Sequence, residues 1–470
     1  MEEVKKNDEY VVDITGMTHE GLGVGRIGEL AVFVKDALPG ETVRVKVILL
    51  KKTYAVGKMM EIIKKSDERT EPVCPVYKRC GGCSLQHMSY TAQLEFKTNQ
   101  VKDAIKRIAG LENVKVLDTI GMKEPYNYRN KVQYPVGIQD NKPVIGFYAR
   151  RSHDIVVSDI CVIQDSISDK VKKVISDFLN HSEQDKFPLH RPGIPYVSVY
   201  DEKTGKGLIR HILVKKAFAT GEVMVVVVIN GYELPGSNTL VEMLLDNIPG
   251  LKSVMLNVNT QKTNTVLGNK NITLFGQDYI VDYIGKYKFR ISPHSFYQVN
   301  PVQTKVLYDK VLEYAGLSGK ETVFDIYSGI GTISLFLSEA AKEVHGIEVV
   351  EDAVEDARQN AVLNGIGNVH FHLGGAEEVV PELYKQGLTA DVVVVDPPRK
   401  GCDEKVLETC AEMKPERLIY VSCNPATLAR DLKYLAEKGF SVQQVQPVDM
   451  FPQTCHVECV VEIQRSESSK

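Results

Sequence analysis

Over residues 320–464 short apolar runs alternate with amphipathic stretches, and this alternation constrains the fold more than any other feature of the chain. In order the segments are TVFDIYSG, TISLFLSEAA, EVHGIEVV, EDAVEDARQNAVLNG, NVHFHL, ADVVVVDPP, DEKVLETCAEM, RLIYVSC and TLARDLKYLAEKG. Runs such as VVVV and LIYV carry no polar alternation, so both faces of those strands must be covered. Strands of that kind separated by helices build a parallel, doubly wound sheet. Two further strand-like runs, FSVQQVQPV and VECVVEIQ, follow with no helix between them. They predict an antiparallel hairpin at the end of the sheet. Ligands of such sheets sit outside the carboxyl ends of the strands, so the strand tips are where chemistry is expected.

The tips are chemically loaded. The first strand ends in DIYSGIGT, where Asp325 closes the strand and Gly329 and Gly331 allow backbone to approach a ligand closely. The second ends at Glu348, an acid placed to hold the ribose hydroxyls of a nucleoside cofactor. NAD and S-adenosylmethionine both use such a site. The turn lacks the third glycine of the dinucleotide fingerprint, and the rigid DPP after the fourth strand suits a planar substrate beside a methyl donor. That strand closes with Asp396, and the next ends at Cys423. A thiolate there could attack an electrophilic carbon. Adding a thiolate to C6 of a pyrimidine makes C5 enolate-like and able to accept a methyl group. The C5 proton must then leave to a base, and His456 and Glu458 flank the start of the final strand. Alternation puts both on one face.

The rest of the chain has different textures. Residues 9–65 read as short strands with Gly-rich turns (EYVVDIT, LAVFV, TVRVKVILL, YAVGKMMEII), which predicts a small closed OB-type barrel. Between Arg44 and Lys65 seven Lys/Arg face one acid, Glu61, a bias that suits a polyanion despite a net charge of −4. Residues 70–290 mix strands (YVSVYD, LIRHILVKKA, EVMVVVVIN) with a helix, YTAQLEFKTNQVKDAIKRIAG, capped by Gly110. The expected division is a barrel over 1–66, a mixed α+β domain over 67–285 and an α/β Rossmann-like domain over 286–470. The helix at about 90–122 is expected to pack on that last domain. No apolar run spans a bilayer and no leader is evident, so a cytoplasmic protein without a membrane partner is expected. In that compartment nine cysteines point to metal binding or catalysis. Cys74, Cys80 and Cys83 (C-x5-C-x2-C) with the remote Cys161 form a four-sulfur set that zinc and an iron–sulfur cluster would both accept.

Five ordered stretches, SPHSFYQVNP, DIYSGIGTISLFL, VVDPPRKGCD, VSCNPATLARDL and MFPQTCHVECVV, together resemble the RNA uracil-5-methyltransferase family. The likeness runs from about residue 70 to the end. It implies a class I methyltransferase domain in which Cys423 adds to uracil C6 and Glu458 removes the C5 proton. Gln298, Tyr327, Glu348 and Asp396 would line the S-adenosylmethionine site, with Asp396 also near the target base. The target uridine must then leave its stack, in a loop or by flipping. Ser328 departs from the family, which often has Cys there. A branch of the family holds a [4Fe–4S] cluster at this cysteine spacing, which implies a cluster rather than zinc. GLGVGRIGELAVFVKDALPGE resembles the RNA-binding TRAM domain. Barrel, cluster and methyltransferase together resemble the 23S rRNA branch. The alternatives are the same chemistry on transfer RNA, or a non-catalytic, metal-stabilised RNA-binding protein.

Overall fold

The computed structural model describes residues 4–181, 195–263 and 265–466. Its C-terminal part is an eight-stranded sheet. The parallel strands Val369–Leu373, Glu343–Glu348, Thr322–Ile326, Val392–Val395 and Arg417–Ser422 lie side by side in that order. Glu458–Arg465 then pairs antiparallel with Arg417–Ser422, and Phe440–Val448 pairs antiparallel with Glu458–Arg465. The expected terminal hairpin is therefore present, and its last strand inserts between the fifth and sixth. The register Ser422↔Cys459 brings Glu458 beside Cys423. Two apolar cores cover the two faces, one around Phe324, Val393 and Leu432, the other around Val323, Val394 and Leu307. The strands are apolar on both faces for this reason.

The N-terminal strands Glu9–Met17, Gly23–Ile27, Leu30–Val34, Thr42–Leu50 and Tyr54–Lys64 close into a barrel. Gly23–Ile27 lies within the stretch read from sequence as a turn. Its glycines serve close packing: a Cβ on Gly25 would sit 2.3 Å from Val12 Cγ1, and one on Gly23 would sit 2.8 Å from the Ala37 carbonyl oxygen. The central sheet runs Lys270–Gly276, Leu251–Val258, Val223–Ile229, Ile209–Lys216, Lys131–Gln139, Lys142–Ile145. Helices Ser166–His181 and Ser237–Asn247 cover one face. Leu213, Met224, Val226 and Met255 on the other face join a core of the C-terminal sheet. YVSVYD makes only isolated bridges, at Val199 and Asp201, and is not a full strand.

Helix Tyr90–Ala104 starts on Ser89, whose hydroxyl accepts from the Ala92 amide. It continues as a π-helical turn, Ile105–Ala109, and ends at Gly110 in the left-handed conformation. It packs on helix Pro425–Glu437 and on Phe440–Val448, and the short strand Lys115–Val116 extends the sheet beyond Phe440–Val448. A run of polar residues on this helix is buried: Gln93, Lys97 and Thr98. Each meets a partner. Lys97 Nζ lies 2.5 Å from Asp449 Oδ1, with both side chains fully buried, and also donates to the Phe451 carbonyl at 3.1 Å. Tyr90 Oη donates to Asp449 Oδ2 at 2.9 Å. Breaking a buried pair from one side strands a charge, at a cost of about 3–5 kcal/mol. Lys97→Met is expected to lose that much in urea unfolding. Adding Asp449→Leu should cost less than the second substitution alone, a coupling of about 1–3 kcal/mol. Strictly additive losses would refute the pair's importance.

Candidate active site

The strand tips converge on one crevice. Asp325 is buried at the end of its strand and accepts a 2.5 Å hydrogen bond from Ser334 Oγ through Oδ2. Tyr327 follows with a left-handed backbone (φ 71°), which turns the chain into the glycine loop. Gly331 is left-handed too, and a Cβ there would sit 2.7 Å from the Phe371 ring. Glu348 accepts from the Gly329 amide at 3.0 Å and from the Val349 and Val350 amides at 2.9 Å. Three backbone donors thus fix a carboxylate at the mouth of the loop. Two buried polar atoms here, Asp325 Oδ1 and Ser328 Oγ, have no hydrogen-bond partner. A glycine-lined cradle, a fixed carboxylate and unpaired polar atoms suit a nucleoside-bearing cofactor. Gln298 is buried in the loop before helix Pro301–Ala315. Asn130 holds that loop through the Gln298 and Val299 carbonyls, and Lys215 Nζ holds it through Ser292 and Ser295.

Beside the cradle lie Asp396, Cys423 and Glu458. Glu458 is buried at the first position of its strand, 5% exposed, whereas Cys423 and Asp396 are partly open. Burial pushes the Cys423 thiol up to about 11, helped by the negative charges of Glu458 and Asp396 and opposed by Arg399. Desolvation pushes Asp396 up to about 7. Glu458 is raised well above the ordinary carboxylate range, first by burial, then by Asp396, with Arg399 opposing. His456 is lowered by desolvation and then by Arg399. The Arg399 guanidinium thus acts on Cys423, Glu458 and His456, and Asp396 acts on Cys423 and Glu458. Beneath them Tyr308 Oη bonds Thr332 Oγ1 at 2.8 Å and feels Asp396, Asp325 and Glu458.

Two residues of this site were not singled out from sequence. Arg399 follows DPP, and its carbonyl accepts from Asn424 Nδ2 and Thr427 Oγ1, tying the fourth and fifth strand tips together. Phe296, two residues before Gln298, is 67% exposed.

The clustered Cys74, Cys80 and Cys83 and the distant Cys161 line one cavity of about 340 Å³, together with Arg129 and Lys131. The Gly82 amide points at Cys80 Sγ, 3.4 Å away. Among the described residues, no group of three or more His, Cys, Asp or Glu side chains is gathered tightly enough to hold a single ion.

The fold and the cradle define an S-adenosylmethionine-dependent methyltransferase of the Rossmann-like class. Comparison with known proteins narrows this. Residues 251–466 match the tRNA (uracil-5-)-methyltransferase family model, and residues 3–60 match the TRAM domain. An RNA methyltransferase of Caldanaerobacter subterraneus is 52% identical over 99% of this chain and all of its own length. One from Clostridium tetani is 51% identical over 97% of this chain and 96% of its own. The crystal structure of Pyrococcus abyssi tRNA (uracil-54, C5)-methyltransferase with S-adenosyl-L-homocysteine is 27% identical, with a TM-score of 0.75, covering 96% of this chain and 99% of that one. The chain belongs to the RNA uracil-5-methyltransferase family, with a TRAM domain at its N-terminus.

A thiol held up near 11 is protonated at rest and reacts slowly. Alkylation of Cys423 in the free protein should therefore be slow at pH 7 and rise roughly tenfold per pH unit to about pH 11. Peptide mass spectrometry reads the rate, and a plateau near pH 8 would contradict the electrostatic picture.

Proposed function

We propose that this chain methylates C5 of a uridine in 23S rRNA, acting in the cytoplasm. The observation that carries the reading is the convergence of Cys423, Glu458, Asp396 and Arg399 beside the glycine cradle. Gln298, Tyr327, Glu348 and Asp396 would hold S-adenosylmethionine, which would give up its sulfonium methyl group to C5 and leave as S-adenosyl-L-homocysteine. Cys423 adds to uracil C6 as its proton passes to the Asp396 carboxylate. The C5 proton then moves to the Glu458 carboxylate. The C–H electrons form the C5=C6 double bond, the C6–S bond breaks, and the thiolate returns. Burial makes Glu458 a stronger base than an exposed carboxylate once it is ionised. The pocket opens at strand tips, so the uridine must be unstacked when it enters.

A specific observation favours a second substrate, transfer RNA. The Pyrococcus abyssi tRNA enzyme matches 96% of this chain, so possession of a barrel does not distinguish the two RNAs. Labelled methyl transfer to unmodified 23S rRNA and to bulk transfer RNA decides between them. The expected result is 5-methyluridine in rRNA only, with activity falling at least about 10³-fold in Cys423→Ala. Label in transfer RNA alone would replace rRNA as the substrate.

For the four cysteines we propose a [4Fe–4S] cluster with a structural role. The donor set suits it: four thiols around one cavity, basic neighbours to offset cluster charge, and an amide directed at a sulfur. A zinc ion would need four sulfurs roughly 3.8 Å apart, as its 2.3 Å bonds require. Anaerobically purified protein is expected to carry about four iron atoms per chain, by the stoichiometry of such a cluster. Cys80→Ser should lose them, and one zinc with no iron would overturn the assignment.

A further inference from the structure

The segment 449–456 joins the last two strands and ends two residues before Glu458. It is anchored by residues 84–97 and Tyr128, which are remote in sequence. Gln93, buried on helix Tyr90–Ala104, makes the most connected contact. Its Oε1 accepts from the Gln453 amide at 3.0 Å. Its Nε2 lies 3.1 Å from Gln453 Oε1, 3.1 Å from the Leu85 carbonyl and 2.9 Å from the Met88 carbonyl. Gln453 itself is buried and left-handed, at φ 70°. A non-glycine residue holds that conformation only when its surroundings impose it. The Ser84 and Leu85 amides both donate to its carbonyl at 3.0 Å, and Ser84 Oγ accepts from the Cys455 amide at 3.0 Å. Tyr128 Oη donates to the Pro452 carbonyl at 3.0 Å. Ser84 directly follows Cys83 of the cysteine cavity.

Strand pairing fixes Glu458 from its downstream side, through Val448. Upstream, the chain carries His456, which with Glu458 and Cys423 feels Arg399. Ile120, Asn300 and Gln303 hold the start of the segment at Asp449 and Met450, whereas Pro452, Gln453 and Cys455, nearer Glu458, are tied by Tyr128, Gln93, Ser84 and Leu85. We infer that Gln93 is a positioning residue: by clasping Gln453 to the cysteine lobe it sets the wall facing Glu458 for removal of the C5 proton. The inference rests on Glu458 being the base, as proposed above. A shift of about 1 Å at a reacting group costs up to roughly a hundredfold in rate. Loosening this wall should therefore slow proton removal while leaving thiol addition and methyl transfer in place.

The test uses full-length Gln93→Leu, Ser84→Ala and Glu458→Gln with unmodified RNA and labelled S-adenosylmethionine. The readouts are kcat, KM and the denaturant-resistant protein–RNA adduct that carries labelled methyl. In Gln93→Leu, kcat is expected to fall about tenfold to a hundredfold, with KM within about twofold, and the methylated adduct should accumulate as in Glu458→Gln. Ser84→Ala removes one bond and should show the same signature more weakly. It decides the matter if Gln93→Leu is recovered unfolded. Losses that only track the folded fraction, without adduct, would overturn the positioning role, as would unchanged kcat in both variants. If Glu458→Gln itself accumulates no adduct, the base assignment falls, and the positioning role with it.

Discussion

A lysine and an aspartate with no access to water, 352 residues apart in sequence, tie this molecule together. Lys97 and Asp449 form a pair that neither side chain could leave without stranding the other in an apolar surround. Burial pulls the lysine below its ordinary range, and Asp449 opposes that pull. The pair fastens a helix from the first quarter of the chain to the segment that leads into the last strand. Around it gather Tyr90, Gln93 and Tyr128. The cysteine lobe, the helix and the terminal hairpin are thereby one mechanical unit. A site assembled from residues 298 to 458 depends on a polar seam supplied largely by residues 84–130.

The pocket beyond that seam stores little negative charge. Three acidic groups, Cys423, Asp396 and Glu458, share a poorly solvated space; burial raises all three, Asp396 raises Glu458 further, and both carboxyls raise Cys423. Arg399 is the compensating charge, and the strand-tip loops are bonded to its backbone. A thiol protonated at rest is protected from adventitious oxidation and alkylation. In the proposed reaction it would be activated by the entering base and by proton transfer within the pocket. The buried carboxylates carry a stability consequence as well. Asp325 is pushed up to about 7, mainly by desolvation. Folding therefore favours its protonated form, and its contribution is present below the ordinary carboxylate pKa and lost as pH rises toward 7.

Much of the site was legible because parallel strands leave their chemistry at their carboxyl ends. Asp325, Glu348, Asp396 and Cys423 each close an apolar run, so the alternation alone lined them up. The adjacency of Glu458 to Cys423 was not legible: it depends on the last strand inserting between two others, a tertiary pairing with no local signal. Gly23 and Gly25 looked like turn residues because glycine marks turns, but here it relieves contact with Val12 and Ala37. The helix carrying Gln93 and Lys97 is expected to pack on the last domain, but neither residue stands out in sequence as a buried contact. Polar residues at helical spacing look the same in sequence whether they meet water or a buried partner. Cys161 could be grouped with the other three cysteines by count, but their shared cavity required the fold.

The most direct test of the account replaces the target uridine with 5-fluorouridine in substrate RNA. Fluorine at C5 cannot leave as a proton, so the reaction should stop after methyl transfer with enzyme and RNA still joined. Digestion and mass spectrometry then locate the bond. The account predicts a methylated nucleotide attached to the peptide containing Cys423. Attachment at another cysteine, such as Cys455, or methylation of ordinary uridine with no trapped species on the fluorinated RNA, would contradict it.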